Sequence, residues 1–532
     1  MKVVSINSIG TSGINTDQTP WELPEAFITS GSNFRVQNGS LLSNGGYSSW
    51  YSNSAFLNAG FILPLSGQFA NLIIIATTHG VYYFDGSTYV SILTISPTLN
   101  DVRGWSGGMM GGIPVLNHPE IGPYYWVPST AAPPQMQKLP FDATHNWNQV
   151  YKYGMVLRAH KNFLFMLNMT EKSGSTWVEM PDSYRWSHPA DINSIPPSWN
   201  EADPYFLAGF AALGDDSGKI LDGLSLRDSF VIYSEKAINI LEPSNDEFVW
   251  TRRQLTTTAG ILARDCVVEV NGLHYFLTNG DAYVFDGNKP VSIMQGKIRK
   301  HLQSNLSHQH YQSSFVLVNL NYKEIWFCIP AQGSDSPNLA YLYNWVDESW
   351  AIRSLPAHIT FGAFGQKTSG LITWSTLQSA SPQPTWGTYQ PTWGASTSSP
   401  FDGTVLAASS LGALLDVDIA GSGLAGTDAS TYPNTQVQRS NYTLDGIIGV
   451  TSIDQVYPKI QGSMPVKFTF GSQDYPDAPI RWKPSIVFDP SSQRRINVRT
   501  TGALHAWKVE SINGGQFALS GMDIVYAPSG VR

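Results

Sequence analysis

Apolar and aromatic residues recur at alternate positions in short runs, and turn dipeptides separate one run from the next. Such runs lie at 72–76, 81–84, 162–167, 229–234, 267–270, 273–277, 282–285, 315–320, 324–329 and 340–345. Alternation sends successive side chains to opposite faces, so each run predicts a half- or fully buried strand. Helical spacing is nearly absent. Its one candidate is 296–306, where Ile298, Leu302 and Leu306 fall four apart, on one face of a helix. The pattern predicts an all-β chain with one short helix.

One hairpin is written twice. Residues 80–92 read "GVYYFDGSTYVSI" and residues 280–293 read "GDAYVFDGNKPVSI". A shift of 201 positions superposes Thr77 on Thr278, Tyr82 on Tyr283, Phe84 on Phe285 and Asp85-Gly86 on Asp286-Gly287. In both copies two aromatics share one sheet face just before an Asp-Gly turn. Strand–turn–strand grammar is common enough to arise by convergence. The alternative is that these are equivalent hairpins in successive sheets of a radial array. Weaker relatives stand at 230–243 and 341–355. Repetition of this kind predicts a β-propeller of six or seven blades with insertions, an architecture that buries its faces between blades.

Three segments depart from the pattern. Residues 1–55 read as an extended N-terminal arm and 56–430 as the propeller. Residues 431–532 read as a C-terminal antiparallel β-domain, a sandwich or small barrel. Within the propeller, 366–400 is rich in Ser, Thr, Pro and Gly, yet it carries Trp374, Trp386 and Trp393 and repeats "QPTWG". Exposed indoles cost solubility, so this loop is expected to dock them on its own domain or on a neighbouring subunit.

Composition narrows the function. The chain has 532 residues and a net charge of −8, with 14% charged and 12% aromatic residues. A mildly acidic protein is a poor candidate for gripping nucleic acid by neutralising phosphates. The start lacks an apolar leader segment, and the longest aliphatic run, at 72–76, is too short to cross a bilayer. Cys266 and Cys328 lie in apolar runs without metal-ligand spacing and read as buried thiols of a chain assembled in a reducing cytoplasm.

Candidate chemistry is thin. "GSGLAG" at 421–426 matches a dinucleotide fingerprint, but no helix-forming sequence follows it. "GDDSGK" at 214–219 is one residue short of a phosphate loop and lacks its hydroxyl; it reads as a turn. His308 and His310 would share a strand face without completing a metal set. Glu179, Asp182, Asp191, Glu201 and Asp203 lie near Trp177, Trp186 and Trp199. Carboxylates beside indoles suit sugar cleavage, but the sialidase-type S-x-D-x-G-x-x-W turn, the G-x-S-x-G elbow and HExxH are missing. The expectation is no enzyme, no cofactor and no metal.

Several stretches together resemble the tail nozzle proteins of short-tailed bacteriophages, also called tail tubular protein B or stabilisation proteins. They are the opening "GINTDQTPWELPEAFITSGSNFRVQNGSLLSNGGY", the central "VLRAHKNFLFML", "YRWSHPADINSI" and "GKILDGLSLRDSFVIYSEKAINILEP", the Trp-bearing loop at 374–394, and the ending "TTGALHAWKVESINGGQFALSGMDIVYAPSGVR". Relatives often carry an arginine after the Gly of that ending, where this chain has Ala503. The resemblance implies a structural virion protein: a homohexameric ring in the tail, below the portal and adaptor. Such a ring surrounds the exit path of double-stranded DNA and carries tail fibres or spikes, without stable membrane insertion. The rival expectation is a receptor- or glycan-binding propeller module of a tail.

Overall fold

The two echoing hairpins occupy the same place in two different sheets. Residues 80–84 and 89–94 are the third and fourth strands of the sheet spanning 59–94, and residues 281–285 and 290–292 are the third and fourth strands of the sheet spanning 267–292. Tyr82 and Phe84 pack against the preceding sheet beside Phe56 and Leu406, and Tyr283 and Phe285 do the same beside Val231 and Tyr233. The turns agree as well. Asp85 accepts the Thr88 N–H at 2.6 Å and Asp286 accepts the Asn288 N–H at 2.9 Å. Gly86 and Gly287 follow at φ 96° and 101°, a region that strongly favours glycine. At the preceding turn the Thr77 hydroxyl donates to the Gly80 carbonyl and that of Thr278 to Asp281.

The computed structural model describes residues 2–531 except 10, 66–71, 87, 97, 129–134, 245–248, 257–258, 367–402, 420–430, 447–448, 463 and 477. Seven four-stranded antiparallel sheets succeed one another as the blades of a β-propeller, numbered here in chain order: 59–94, 106–138, 152–212, 220–256, 267–292, 315–354, and 359–419 joined by 46–57. First strands of blades 2 to 7 touch in succession along the axis, and the first strand of blade 7 returns to that of blade 1. The echoing hairpins therefore belong to blades 1 and 5, equivalent but not successive. Segments 230–243 and 341–355 supply strands of blades 4 and 6.

Blade 7 closes the ring with strand Gly46–Leu57, which pairs as its outer strand with Leu411–Ile419. Hydrogen bonds between chain segments so far apart tie the N-terminal region to the last blade. They also correct the expected arm at 1–55. Strands Lys2–Asn7, Phe34–Gln37 and Ser40–Ser43 join one six-stranded sheet of the C-terminal domain, and Ser30–Ser32 joins the other. Backbone groups of an apolar segment need partners, and the long strand Phe517–Val531 offers its edge to Lys2–Asn7 and Ser40–Ser43. The two sheets enclose Phe468, Trp507, Ile524 and Met522 as a sandwich.

The predicted helix forms at Arg299–Asn305, with Ile298, Leu302 and Leu306 buried. Its first N–H groups are capped from the N-terminal region: the Asp17 carboxylate accepts from Arg299 at 3.1 Å and Lys300 at 2.8 Å. Where blade 1 meets blade 2, the backbone passes so close that a Cβ on Gly60 would run into the Val102 carbonyl oxygen. Gly60→Ala is therefore expected to destabilise by about 1–3 kcal/mol, read as a lower urea midpoint with an unchanged slope.

Candidate functional site

Charged residues embedded in apolar strands mark two buried centres. The first lies where sandwich and propeller meet. Arg35, on the strand Phe34–Gln37, donates to both oxygens of Asp418 at 2.6 and 2.7 Å. Arg353 of blade 6 donates to the same carboxylate at 2.7 Å. Glu324 stands 3.4 Å from Arg35 Nε, and the Tyr322 ring covers the Arg35 guanidinium at 3.6 Å. All four charged side chains are at most 3% exposed, so neither body can leave the other without baring ions. Burial alone would raise the Asp418 carboxyl, but Arg35 and Arg353 outweigh it and hold it down at about 2. Burial pushes Glu324 up despite Arg35.

The second centre lies on the propeller axis. Arg158, on the first strand of blade 3, grips Asp222 of blade 4 through Nε at 2.8 Å and Nη2 at 2.9 Å. The same Nη2 reaches Asp265, just before blade 5, at 2.7 Å. Asp265 also takes Arg264 at 3.3 Å and Arg103 at 3.7 Å. Arg103 in turn donates to the carbonyls of Gln312 and Ser314, before blade 6. Charges from blades 2 to 5, with carbonyls from the segment before blade 6, thus meet across the axis. Burial opposes ionisation of Asp265, but the three arginines prevail and lower its pKa. Beside this plug, on the side of the turns between second and third strands, opens a funnel of about 1020 Å³.

Blade 3 carries the most exposed apolar side chains. Its long hairpin, Phe163–Ser173 with Thr176–Trp186, presents Trp177 beside Tyr151 and Tyr153. The segment after it leaves Ile192 93% and Tyr205 89% exposed. The same blade also leaves Val178, Leu207 and Phe210 exposed.

The residues singled out in the sequence mostly serve the fold. Glu201 is tied to Arg185 and Lys152, Asp182 accepts the Gly214 N–H, and Asp203 caps the turn at Tyr205. His308 and His310 lie in an exposed turn at the funnel rather than on one strand face. Among the described residues no group of three His, Cys, Asp or Glu side chains is placed to hold a metal ion. Cys266 and Cys328 are buried and free, and burial raises the Cys266 thiol to about 12. Residues 215–217 of "GDDSGK" form a single helical turn. Ala503 is buried in the sandwich, its N–H on the Gln473 carbonyl. Trp374, Trp386, Trp393 and the "GSGLAG" stretch lie outside the described residues. Sequence reading missed both ion centres. Their signal was a lone charge inside an apolar run, as in "FRVQ", "MVLRAH" and "ILDGL".

No family model matches the sequence, and no curated protein matches it. Among solved structures, the chain is similar to PorZ of Porphyromonas gingivalis, an essential bacterial surface component of the type-IX secretion system. That match has 11% identity and a TM-score of 0.34, and covers 84% of this chain and 46% of PorZ, so the chain spans about half of that protein's length. The AfRom2 CNH domain matches at 9% identity and TM-score 0.33, covering 58% of this chain and 89% of that one. KlHsv2 with loop 6CD replaced by a Gly-Ser linker matches at 10% and 0.29, covering 63% and 90%. The propeller stands on its own strand pairing, independently of these likenesses.

Proposed function

We propose that the chain is a structural virion protein of a short-tailed phage, the nozzle of its tail. Six copies would form a ring below the portal and adaptor, surround the path of the ejected genome and carry fibres or spikes. The observation that best supports this reading is the buried Arg35–Asp418–Arg353 centre, which locks sandwich and propeller into one stiff block suited to a wall. With the propeller's own axis crossed by ions, a conduit for duplex DNA is a space between copies. Six copies would carry −48 from their formal charge of −8 each, and an acidic lining repels phosphates and lets DNA slide. Loops between strands would narrow the bore and gate it. The protein would act without catalysis or cofactor.

The test is imaging of the purified protein mixed with its adaptor. Sixfold rings with a central channel are expected; free monomers, or a lumen crowded with Lys and Arg, would refute the reading. The bare apolar residues of blade 3 supply a sharper variant. An Ile192→Ser, Tyr205→Ser chain should keep its melting profile, since both side chains are almost fully exposed and such surface changes stay within about 0.5 kcal/mol. Ring formation, measured by analytical ultracentrifugation, should fall at least about tenfold. Trp177 and Tyr151 also form an aromatic platform with Lys172 over both rings, which favours glycan binding as the second reading. Glycan-array signal that Trp177→Ala removes would support it.

A further inference from the structure

We propose that the funnel beside the propeller plug binds a small anionic organic molecule, its phosphate or carboxylate group held by Arg264 with the charge of Arg103 beside it. The argument is one of charge placement. Three arginines, 103, 158 and 264, meet two carboxylates, Asp222 and Asp265, around the axis. Two of the arginines, 103 and 264, line the funnel, whereas Asp222 and Asp265 do not. The acids stand behind the cations, and one positive charge is left over on the cavity side.

Arg264 has donors to spare. Its bonds to Asp265 and to the Gly104 carbonyl are both 3.3 Å long, and its remaining terminal nitrogen has no partner among the described residues. Arg103 is as deeply placed, but both its terminal nitrogens already donate to the carbonyls of Gln312 and Ser314, so it adds charge to the site while Arg264 supplies the open donor. A fork of arginine donors that lacks its full complement of acceptors matches a planar carboxylate or a phosphate.

In formal charge the remaining lining, Lys219 and Arg299 against Asp101, Glu235 and Asp281, offsets that surplus, so the attraction is local, at the open donors of Arg264. Asp101 accepts the Arg103 backbone N–H at 2.9 Å, and Asp281 lies 3.6 Å from Arg299, so two of the acids facing the cavity are engaged. Lys219 adds a further cation and Glu235 a further acid. Tyr283, Tyr311 and Ile261 offer apolar surface against which a ring or short chain can lie. The volume, about 1020 Å³, is that of a site for a whole small molecule rather than a bare ion.

Isothermal titration calorimetry on the full chain at low ionic strength tests this with three probes: inorganic phosphate, glucose 6-phosphate and succinate. Binding of at least one, at millimolar affinity or better, is expected. A phosphate-only response and a succinate-only response identify the group that the arginines select. Arg264→Gln should weaken that binding at least tenfold while the far-ultraviolet spectrum and melting temperature hold. Should that variant fail to fold, Lys219→Gln on the funnel wall replaces it, with at least threefold weakening expected. No heat from any probe, or binding unchanged in the folded variant, overturns the proposal. Because the readout is binding by single chains, its failure leaves the ring reading intact, and failure of the ring leaves this site intact.

Discussion

Asp418→Ala is expected to destabilise the chain by about 3–5 kcal/mol, the range for breaking a buried ion pair by removing one partner. Asp418 accepts from Arg35, Arg353, the Asn319 side chain at 2.9 Å and the Gly45 backbone at 3.2 Å. Without it, two guanidiniums at 2% and 1% side-chain exposure keep only Glu324 as an acid, and burial already biases Glu324 toward its neutral form. Water cannot reach them to compensate unless the seam opens. Because Arg35 belongs to the sandwich, Glu324 and Arg353 to blade 6 and Asp418 to blade 7, the loss is shared by both bodies.

Calorimetry should therefore show two transitions in the variant where the parent has one, the sandwich and propeller having lost their coupling. Asp418→Asn, which keeps the shape and some hydrogen bonds but not the charge, should fall between. A variant within about 1 kcal/mol of the parent would mean that the centre is not what joins the bodies. Replacing all four charged residues by apolar ones of similar volume is a different experiment, and it can be neutral or even stabilising. The centre therefore reports on how the two bodies are fixed to each other more than on total stability.

How much of this was readable beforehand depends on the distance over which each feature is encoded. The blade strands were legible because their signal is local: Tyr82 and Phe84 alternate just before Asp85-Gly86, and the pattern returns at Tyr283, Phe285 and Asp286-Gly287. The helix was legible from the spacing of Ile298, Leu302 and Leu306. Blade number was not, because outer strands are as short as Gln137–Lys138 and blade 3 alone runs from 152 to 212. The fate of the N-terminal segment was hidden for another reason. Its partners are remote, Ser30 opposite Gln438 and Lys2 opposite Tyr526, and nothing near residue 30 encodes them. The ion centres share that limit: a charge in an apolar strand says that a partner exists, not which residue it is.

The chain is expected to lose about 6 kcal/mol of stability between pH 7.5 and pH 5, and three buried histidines account for it. Burial lowers His160, His274 and His505 to about 4 each, against about 6.5 for an unfolded histidine. The unfolded chain thus takes up protons over a range in which the folded chain refuses them. The stabilisation is whole above pH 6.5 and is lost as pH falls toward 4, at about 2 kcal/mol per histidine by pH 5. Asp418, held near 2, acts in the opposite part of the scale. Its contribution is full above the ordinary carboxylate value and disappears only as pH drops from there toward 2, so it does not enter the window. Glu324 and Asp281, both raised by burial, bind protons in the folded state and soften the loss at its acid end. Two of the histidines meet at one residue: His160 Nδ1 lies 2.9 Å from the Ser225 hydroxyl, and His274 Nε2 lies 2.8 Å from the Ser225 carbonyl. Their protonation would strain blades 3, 4 and 5 at a common point. Urea midpoints at pH 7.5, 6 and 5 test the slope, and combined replacement of the three histidines by glutamine should flatten it. A parent protein whose midpoint is level across that range would show that these imidazoles are not kept neutral by the fold.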